Sequence, residues 1–543
     1  MFQNHSLEIN EPFKKALALM EETDRSVFIT GKAGTGKSTL LTYFRKISRK
    51  RLAVLAPTGV AAVNVQGQTI HSFCGFRPDI SLEKVKKLSD KNKTAALLYK
   101  KLDVLIIDEI SMVRADLLDC LEKFLRLNGP RPRKPFGGIQ MIFIGDLYQL
   151  PPVVTSLEQE LFKLAYATPY FFSAHIFADP KFKMELIELE KIYRQTDQDF
   201  ILLLNAIRNR SVTEEDLEIL NSRHVPDFNP QKEGYAIYLT STNAQALKRN
   251  QERLAGLPGR TFQSTGSLEG NFDASALPTE KVLDLKPGAQ VMLLSNDPFG
   301  RWVNGSLGKI IRLPKQAGAE EPVQVELDNH ERVQVTPYTW KIFHYSYDAR
   351  SQSIYAEPVG AFTQYPLKLA WAITIHKSQG KTFSKAVIDI GRGTFAHGQV
   401  YVALSRCTHL AGITLSRPIQ RHHILMDRRV VTFLTQLQYR KSEEAMGYDE
   451  KVQFILEAVE NNRNLDIVYL KPDDTKSHRR IRPEAVEQME YRGKEFEGLR
   501  AFCYERQDQR HFRIDRILEL KDCEPPSPVQ GHKKGKSLCA RKR

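Results

Sequence analysis

The chain has 543 residues with 79 Lys+Arg against 64 Asp+Glu, a formal net charge of +15, and is 41% apolar and 26% charged. That balance excludes a wholly disordered chain and, at about 150 residues per domain, predicts about three or four domains and a polyanionic partner. No apolar run approaches the ~20 residues that cross a bilayer, the start MFQNHSLEIN lacks a basic-then-apolar leader, and the cysteines (Cys74, Cys120, Cys407, Cys503, Cys523, Cys539) form no CxxC pair; together these predict a cytosolic protein without membrane, zinc or disulfide framework.

The first predicted element is a short buried strand, SVFIT (26–30), that runs into GKAGTGKS (31–38) and then into the helical periodicity of TLLTYFRKI. Strand, loop and helix in that order make a phosphate-binding P-loop. Gly31, Gly34 and Gly36 let the backbone turn tightly so that successive N–H groups face phosphate, and the helix start adds partial positive charge. The nucleotide contacts expected here are Gly31, Ala33, Gly34, Thr35, Gly36, Lys37, Ser38 and Thr39. Lys37 reaches the β- and γ-phosphates of ATP, and the Ser38 hydroxyl goes to Mg²⁺. A Gly-rich turn with an exposed lysine is the alternative, and the agreement of three elements speaks against it.

Next comes LDVLIIDEIS (102–111), an apolar strand with two acids at its carboxyl end. Asp108 is the expected Mg²⁺ ligand and Glu109 the base that orients and deprotonates the attacking water. A third strand, MIFIGD (141–146), leads into GDLYQLPPV, where Gln149 is placed to sense the γ-phosphate. Motors bring arginines to that phosphate from across a cleft. Two candidates are Arg194 in LEKIYRQ (189–195) and Arg406 in GQVYVALSRCTHL (398–410), each with a surface or ion-paired arginine as the alternative.

The ordered series GKAGTGKS, APTGVAA (56–62), TIHSF (69–73), IIDEISM, GDLYQLPP, LEKIYRQ, WAITIHKSQG (371–380) and VYVALSR (400–406) resembles the superfamily-one DNA helicases, and among them the Pif-one family and, more distantly, RecD. LLDCLEKFLRLNGPRPRKPFGGIQ (117–140) resembles that family's signature segment, and the likeness covers roughly residues 7 to 430. The resemblance implies two RecA-like α/β P-loop domains (1–195 and 196–430) with ATP and Mg²⁺ between them, Gly380 among the nucleotide contacts, and 5′-to-3′ stepping on single-stranded DNA. A wedge, the short insertion at about 59–76, would part the duplex. It further implies action on single-stranded and forked DNA in genome maintenance, with G-quadruplex and RNA–DNA hybrid left open as substrates; a monomer is expected, though no sequence feature speaks to oligomeric state. The family's N-terminal adenine-reading glutamine is missing from EINEPFKKAL (8–17), where Asn10 is the substitute.

For the DNA track the expected contacts are Thr58 and Gly59, His71 and Phe73, Thr242 and Asn243, and Thr374, His376, Lys377 and Ser378, with turn capping as the alternative at each. From about Pro287 short alternating strands (QVMLLSND, SLGKIIRL, VQVEL, RVQVTPY) predict a small all-β insertion of SH3-like type, about 255–362. Asn296 and Asn304 in its turns are candidate DNA contacts, while Trp302 and Trp340 read as barrel core more than as stacking platforms. After a linker (431–448), the helix DEKVQFILEAVENN and the strands LDIVYL, RRIRPEAVE, GLRAFCYER and RHFRIDRILEL resemble a WYL-like β-barrel domain (449–522) through Tyr469, Arg482-Pro483 and Phe512-Arg513. Tyr469, Arg500, Arg510, Arg513 and Arg516 are its candidate contacts, against a solvated strand face. The basic tail 523–543 is expected to be disordered and to add loose attraction to DNA. The rival to a helicase is an ATP-dependent nucleic-acid-binding switch without processive unwinding.

Overall fold

The structure is a computed structural model and describes residues 9–89, 93–154, 156–226, 228, 235–272, 276–315, 321–391, 393–394, 396–471, 475–491 and 493–524. The chain divides into two compact units after Val430. No helix among the described residues is long and apolar enough to cross a membrane.

The first unit opens with six strands, β1 (Ser26–Gly31), β2 (Leu52–Ala56), β3 (Gln68–Thr69), β4 (Val104–Ile107), β5 (Gln140–Ile144) and β6 (Met184–Leu189). They form one all-parallel sheet in the order β3-β2-β4-β5-β1-β6. β1, β4 and β5 are buried along their whole lengths, as the continuous apolar runs require of parallel strands covered on both faces. Because β4, β5 and β1 are neighbours, their carboxyl ends bring Glu109, Gln149 and the P-loop to one edge.

β7 (Ile237–Thr240) starts a second parallel sheet that is completed much later in the chain. Between lie β8 (Phe262–Thr265), β9 (Ser267–Gly270), β10 (Val282–Leu285), β11 (Gln290–Leu293), β12 (Leu307–Arg312), β13 (Val323–Leu327), β14 (Arg332–Val335), β15 (Tyr338–Asp348), β16 (Ser353–Gln364) and β17 (Leu367–Leu369). β11 to β14 match the four predicted strands, and β17 adds a fifth to their antiparallel sheet. The long hairpin β15–β16, which the sequence reading does not contain, carries Tyr345 to the first sheet. The Tyr345 hydroxyl accepts from the Val54 N–H at 2.9 Å, and its own N–H donates to Gln68 Oε1 at 3.1 Å. The β2–β3 ladder spans only Leu55–Gln68 and Ala56–Thr69, so the hairpin covers the edge that this short ladder leaves. Trp302 and Trp340 are both buried, Trp340 stacked on Phe362 at 5.7 Å, which makes them core.

β18 (Ala372–Thr374), β19 (Ala386–Asp389) and β20 (Ile413–Leu415) join β7 in the order β18-β7-β19-β20, again all parallel. Each lobe is thus a parallel α/β sheet, and the antiparallel sheets are an insertion in the second.

The second unit packs the helix Tyr448–Glu460 on β21 (Asn464–Leu470), β22 (Lys476–Tyr491), β23 (Lys494–Cys503), β24 (Asp508–Arg513) and β25 (Ile517–Cys523), antiparallel in the order β24-β23-β22-β21-β25. RHFRIDRILEL, read as one strand, is two: a turn at Ile514–Arg516, anchored by buried Ile514, sends β24 to one edge and β25 to the other. The candidate arginines there are engaged locally. Arg500 pairs with Glu487 at 3.0 Å, Arg513 grips Asp515 at 2.6 Å, and Arg516 donates to the carbonyls of Leu470 and Lys471. Arg510 lies 3.8 Å from Asp508, and Tyr469 packs edge-on against Phe512. These contacts favour the solvated-face reading. Most of the basic tail, 525–543, lies outside the described residues.

Candidate nucleotide site and nucleic-acid interface

The P-loop follows β1. Gly34 and Gly36 have φ of +80° and +87°, the left-handed region that favours glycine. Gly31 departs from the expectation of a turn glycine. A Cβ there would lie 2.6 Å from both the Leu189 carbonyl and Thr35 Oγ1, so its smallness serves the packing of β1 against β6. The helix Lys37–Ile47 starts at Gly36 and ends on Arg45 and Lys46, charges that suit its dipole. Lys37 Nζ donates to the carbonyls of Gly31 (2.7 Å) and Lys32 (3.0 Å). Burial lowers its pKa, opposed by the charges of Asp146, Glu109 and Asp108.

Glu109 stands just beyond β4 at φ +51°, an uncommon backbone for a residue with a side chain. Burial, and then the Asp108 charge, push its carboxyl up to about 7, with Lys37 pulling the other way. A carboxylate poised there suits a general base near neutral pH. Burial raises Asp108 as well. Gln149 is buried; its amide approaches Asp146 Oδ2 and accepts from Gln379 of the second lobe, both at 3.4 Å.

Across the cleft Arg406 is 1% exposed. Its guanidinium donates to the carbonyl of Val402 (2.9 Å) and to Ser405 Oγ (2.9 Å), with longer contacts to the carbonyls of Ser378 and Lys381. Burial, then the Arg194 charge, lower its pKa to about 9. Arg194 Nη1 donates to the Ser405 carbonyl at 3.3 Å, and Gln195 Nε2 donates to the carbonyls of Ser405 (3.1 Å) and Cys407 (3.0 Å).

These groups surround one cavity of about 890 Å³. Of the predicted residues it is lined by Ala33, Gly34, Thr35, Gly36, Lys37, Ser38, Thr39, Glu109, Gln149, Arg194, Gly380 and Arg406. Gly31, Asp108 and Asn10 are not in its wall. Asn10 has a local structural role: its Oδ1 accepts from the Phe13 N–H and caps the helix Glu11–Glu22, while Nδ2 reaches the Tyr193 hydroxyl at 3.4 Å. It therefore supports two residues that do line the cavity and that sequence reasoning missed, Phe13 and Tyr193, together with Thr382. Of these two aromatics Phe13 is 5% exposed and Tyr193 48%, so Tyr193 is the ring within reach of a purine. Also missed is a buried group behind Gln149. Arg208 pairs with Asp146 at 3.3 Å and stacks over Tyr148 at 3.7 Å, and the Tyr401 hydroxyl accepts from the Ala33 N–H at 3.1 Å. One arginine on an amphipathic helix and one tyrosine in VYVALSR carry no sequence signal; only the fold joins them.

The expected DNA contacts divide. Thr58 and Thr242 are exposed and cap the helices Gly59–Asn64 and Asn243–Ala255, which leaves each O–H free to donate. Gly59 sits where a Cβ would meet Ala276 Cβ at 2.3 Å. His71 and His376 are partly buried, which lowers both pKa values, whereas Asn243, Asn296 and Lys377 are exposed. Asn304 Oδ1 accepts from Lys381 Nζ at 2.7 Å, and its N–H donates to Asn296 Oδ1. Three expectations are corrected by burial. Phe73 is 3% exposed, edge-on to Tyr99 and Tyr345, and has no free face for a base. Ser378 is fully buried with its hydroxyl on the Ile375 carbonyl, and buried Thr374 caps the Lys377 N–H.

Comparison with known proteins gives this geometry a family. The model described as PIF1-like helicase matches residues 8–218, and the WYL domain model matches 450–522. The ATP-dependent DNA helicase Pif1 of Bdellovibrio bacteriovorus is 32% identical over 449 residues, covering 80% of this chain and 93% of that one. ATP-dependent DNA helicase PIF1 of Emericella nidulans is 31% identical over 495 residues; the match takes in 78% of this chain, which spans 62% of that longer protein. The crystal structure of Bacteroides sp Pif1 in complex with ADP-AlF4 superposes with a TM-score of 0.72 at 36% identity, over 79% of this chain and 97% of that one. With its two parallel-sheet lobes, a P-loop cavity closed by arginines from LEKIYRQ and VYVALSR, and these relatives, the chain belongs to the PIF1-like family of ATP-dependent DNA helicases and carries a WYL domain at its C-terminal side.

Proposed function

We propose that this chain hydrolyses ATP in the cavity between its two lobes to step 5′ to 3′ along single-stranded DNA and to open duplexes at forks. The carrying observation is that one cavity is lined by Lys37 and Glu109 from one side and by Arg406 from the other. In the reaction the water oxygen attacks the γ-phosphorus, the bond to the β-phosphate oxygen breaks, and the water's proton passes to the Glu109 carboxylate. Lys37, Arg194 and Arg406 neutralise the charge that spreads over the phosphoryl oxygens. Ser38 on the cavity wall and Asp108 next to Glu109 supply the hard oxygen donors that suit Mg²⁺. Bound there, the ion neutralises β- and γ-phosphate charge. Tyr193, exposed on the cavity wall, offers its ring to the adenine.

Bacteroides Pif1 has been solved with ADP-AlF3 and single-stranded DNA, and at forked duplex DNA with two coordinating helicases. The strand proposed here crosses Thr58, His71, Thr242, His376 and Lys377, of which Thr58, Thr242 and Lys377 are exposed. The working division of the chain is 1–195 and 196–430 with the insertion at about 255–362 and the wedge at about 59–76, then 449–522. The chain works as a monomer on bacterial nucleoid DNA, with G-quadruplexes and RNA–DNA hybrids as further obstacles.

Strand displacement on forks with a 5′ or a 3′ tail tests this reading. A 5′ tail supports ATP-dependent unwinding and a 3′ tail does not. ATP-dependent DNA binding with no displacement from either would make the chain a switch. Lys37→Ala and Glu109→Gln are each expected to lower DNA-stimulated phosphate release by about 10³-fold; retention of that turnover by either variant would move the site elsewhere.

A further inference from the structure

The turn that joins β11 to β12 is built to hold an aromatic ring in solvent. Asp297, 8% exposed, accepts from the backbone N–H groups of Phe299 and Arg301, both at 3.0 Å, and from the Arg301 guanidinium at 2.9 and 2.7 Å. Its own N–H donates to the Trp302 carbonyl, and Gly300 at φ +73° closes the turn on the Asp297 carbonyl. Arg301 lies over the Trp302 ring at 4.7 Å and the Phe299 ring at 5.4 Å. The outcome of all this bonding is a phenyl ring 83% exposed, the one exposed phenylalanine among the described residues. Burying such a ring is favourable, so a fold that fixes it in water forgoes that gain.

Position and charge indicate what the ring meets. The same turn contains Asn296 and Asn304, and Asn304 is held by Lys381, four residues beyond exposed Lys377. Arg301 beside the ring is ion-paired with Asp297, so the cation that this turn presents is Lys381 on Asn304. An exposed ring in a turn that touches a lysine matches the way single strands are held without sequence reading: bases stack on aromatics while phosphates meet basic groups. The pre-bonded turn also lowers the ordering cost of binding.

We propose that Phe299 is a stacking platform for one base of the bound single strand, an assignment that rests on the DNA-motor reading above. The probe is a fluorescent oligothymidylate titrated into the full chain. Phe299→Ala is expected to weaken binding roughly 5- to 100-fold and Phe299→Trp to restore it, with the melting temperature of both unchanged. An oligonucleotide carrying one abasic site, moved position by position, should show one position that costs the wild-type chain affinity and costs Phe299→Ala nothing further. Phe299→Ala binding as tightly as wild type, or losing affinity with no such position, overturns the proposal. Failure of the wild-type chain to bind the oligothymidylate at all would instead sink the motor reading.

Discussion

The two walls of the nucleotide cavity are made by opposite means. One is centred on a single stretch of chain, residues 33–39, joined by Glu109, Gln149 and Arg194 of the same lobe; its shape comes from left-handed glycines and its lysine rests on carbonyls five and six residues back. The other wall, from the second lobe, brings Gly380, Thr382 and Arg406 together from two separate segments. Its arginine is held by Val402, Ser405, Ser378 and Lys381. Arg194 and Gln195 grip the Ser405 carbonyl behind it. The first wall can form wherever the strand and helix form, whereas the second exists only when both lobes are folded and touching. A motor needs that asymmetry: one face to keep the nucleotide, the other to report whether the cleft is shut.

Breaking the second wall should therefore spare binding and stop chemistry. Arg406→Ala is expected to lower stimulated turnover by about 10³-fold or more while ADP affinity, followed with a fluorescent analogue, stays within about tenfold. Equal losses in both would show that Arg406 acts as scaffold. The next effect falls on stability. Arg208→Ala strands the Asp146 charge among buried groups, and such a break costs about 3–5 kcal/mol, measurable as a lowered denaturant midpoint. If Asp146→Asn in the Arg208→Ala background recovers nothing, the pair is not what holds this layer. The smallest effect is at one of the hydrogen bonds between the walls. Tyr401→Phe removes the acceptor for the Ala33 N–H, worth about 1 kcal/mol, so KM for ATP should rise about fivefold with the fold intact. A rise in KM much beyond that would mean that the two walls are less separable than their construction suggests.

How much could be read beforehand follows the same division. SVFIT–GKAGTGKS and LDVLIIDEIS were legible because each packs a buried strand and its chemistry into adjacent residues, and β1 and β4 stand where those runs do. MIFIGD gave β5 and Gln149 in the same way. The misreadings share one cause. Phe73, Ser378 and Thr374 carry the right atoms for DNA, but Tyr99, Tyr345 and the turn at Ile375 bury them. Asn10 and Gly31 serve a cap and a close strand contact. The hairpin β15–β16 was missed although its alternation is long, because its meaning lies in reaching Val54 and Gln68.

By itself the sequence determined the P-loop, the acid pair, the order of the motor segments, and a separate C-terminal module, since apolar runs, glycines and neighbouring charges act over a few residues. Only the tertiary structure decided which polar groups face the cavity, that Phe13 and Tyr193 join its wall, and that Arg208, Tyr401 and Gln195 brace it. Burial and hydrogen bonding between distant segments are properties of packed surfaces, and no local pattern encodes which surface a given side chain will meet.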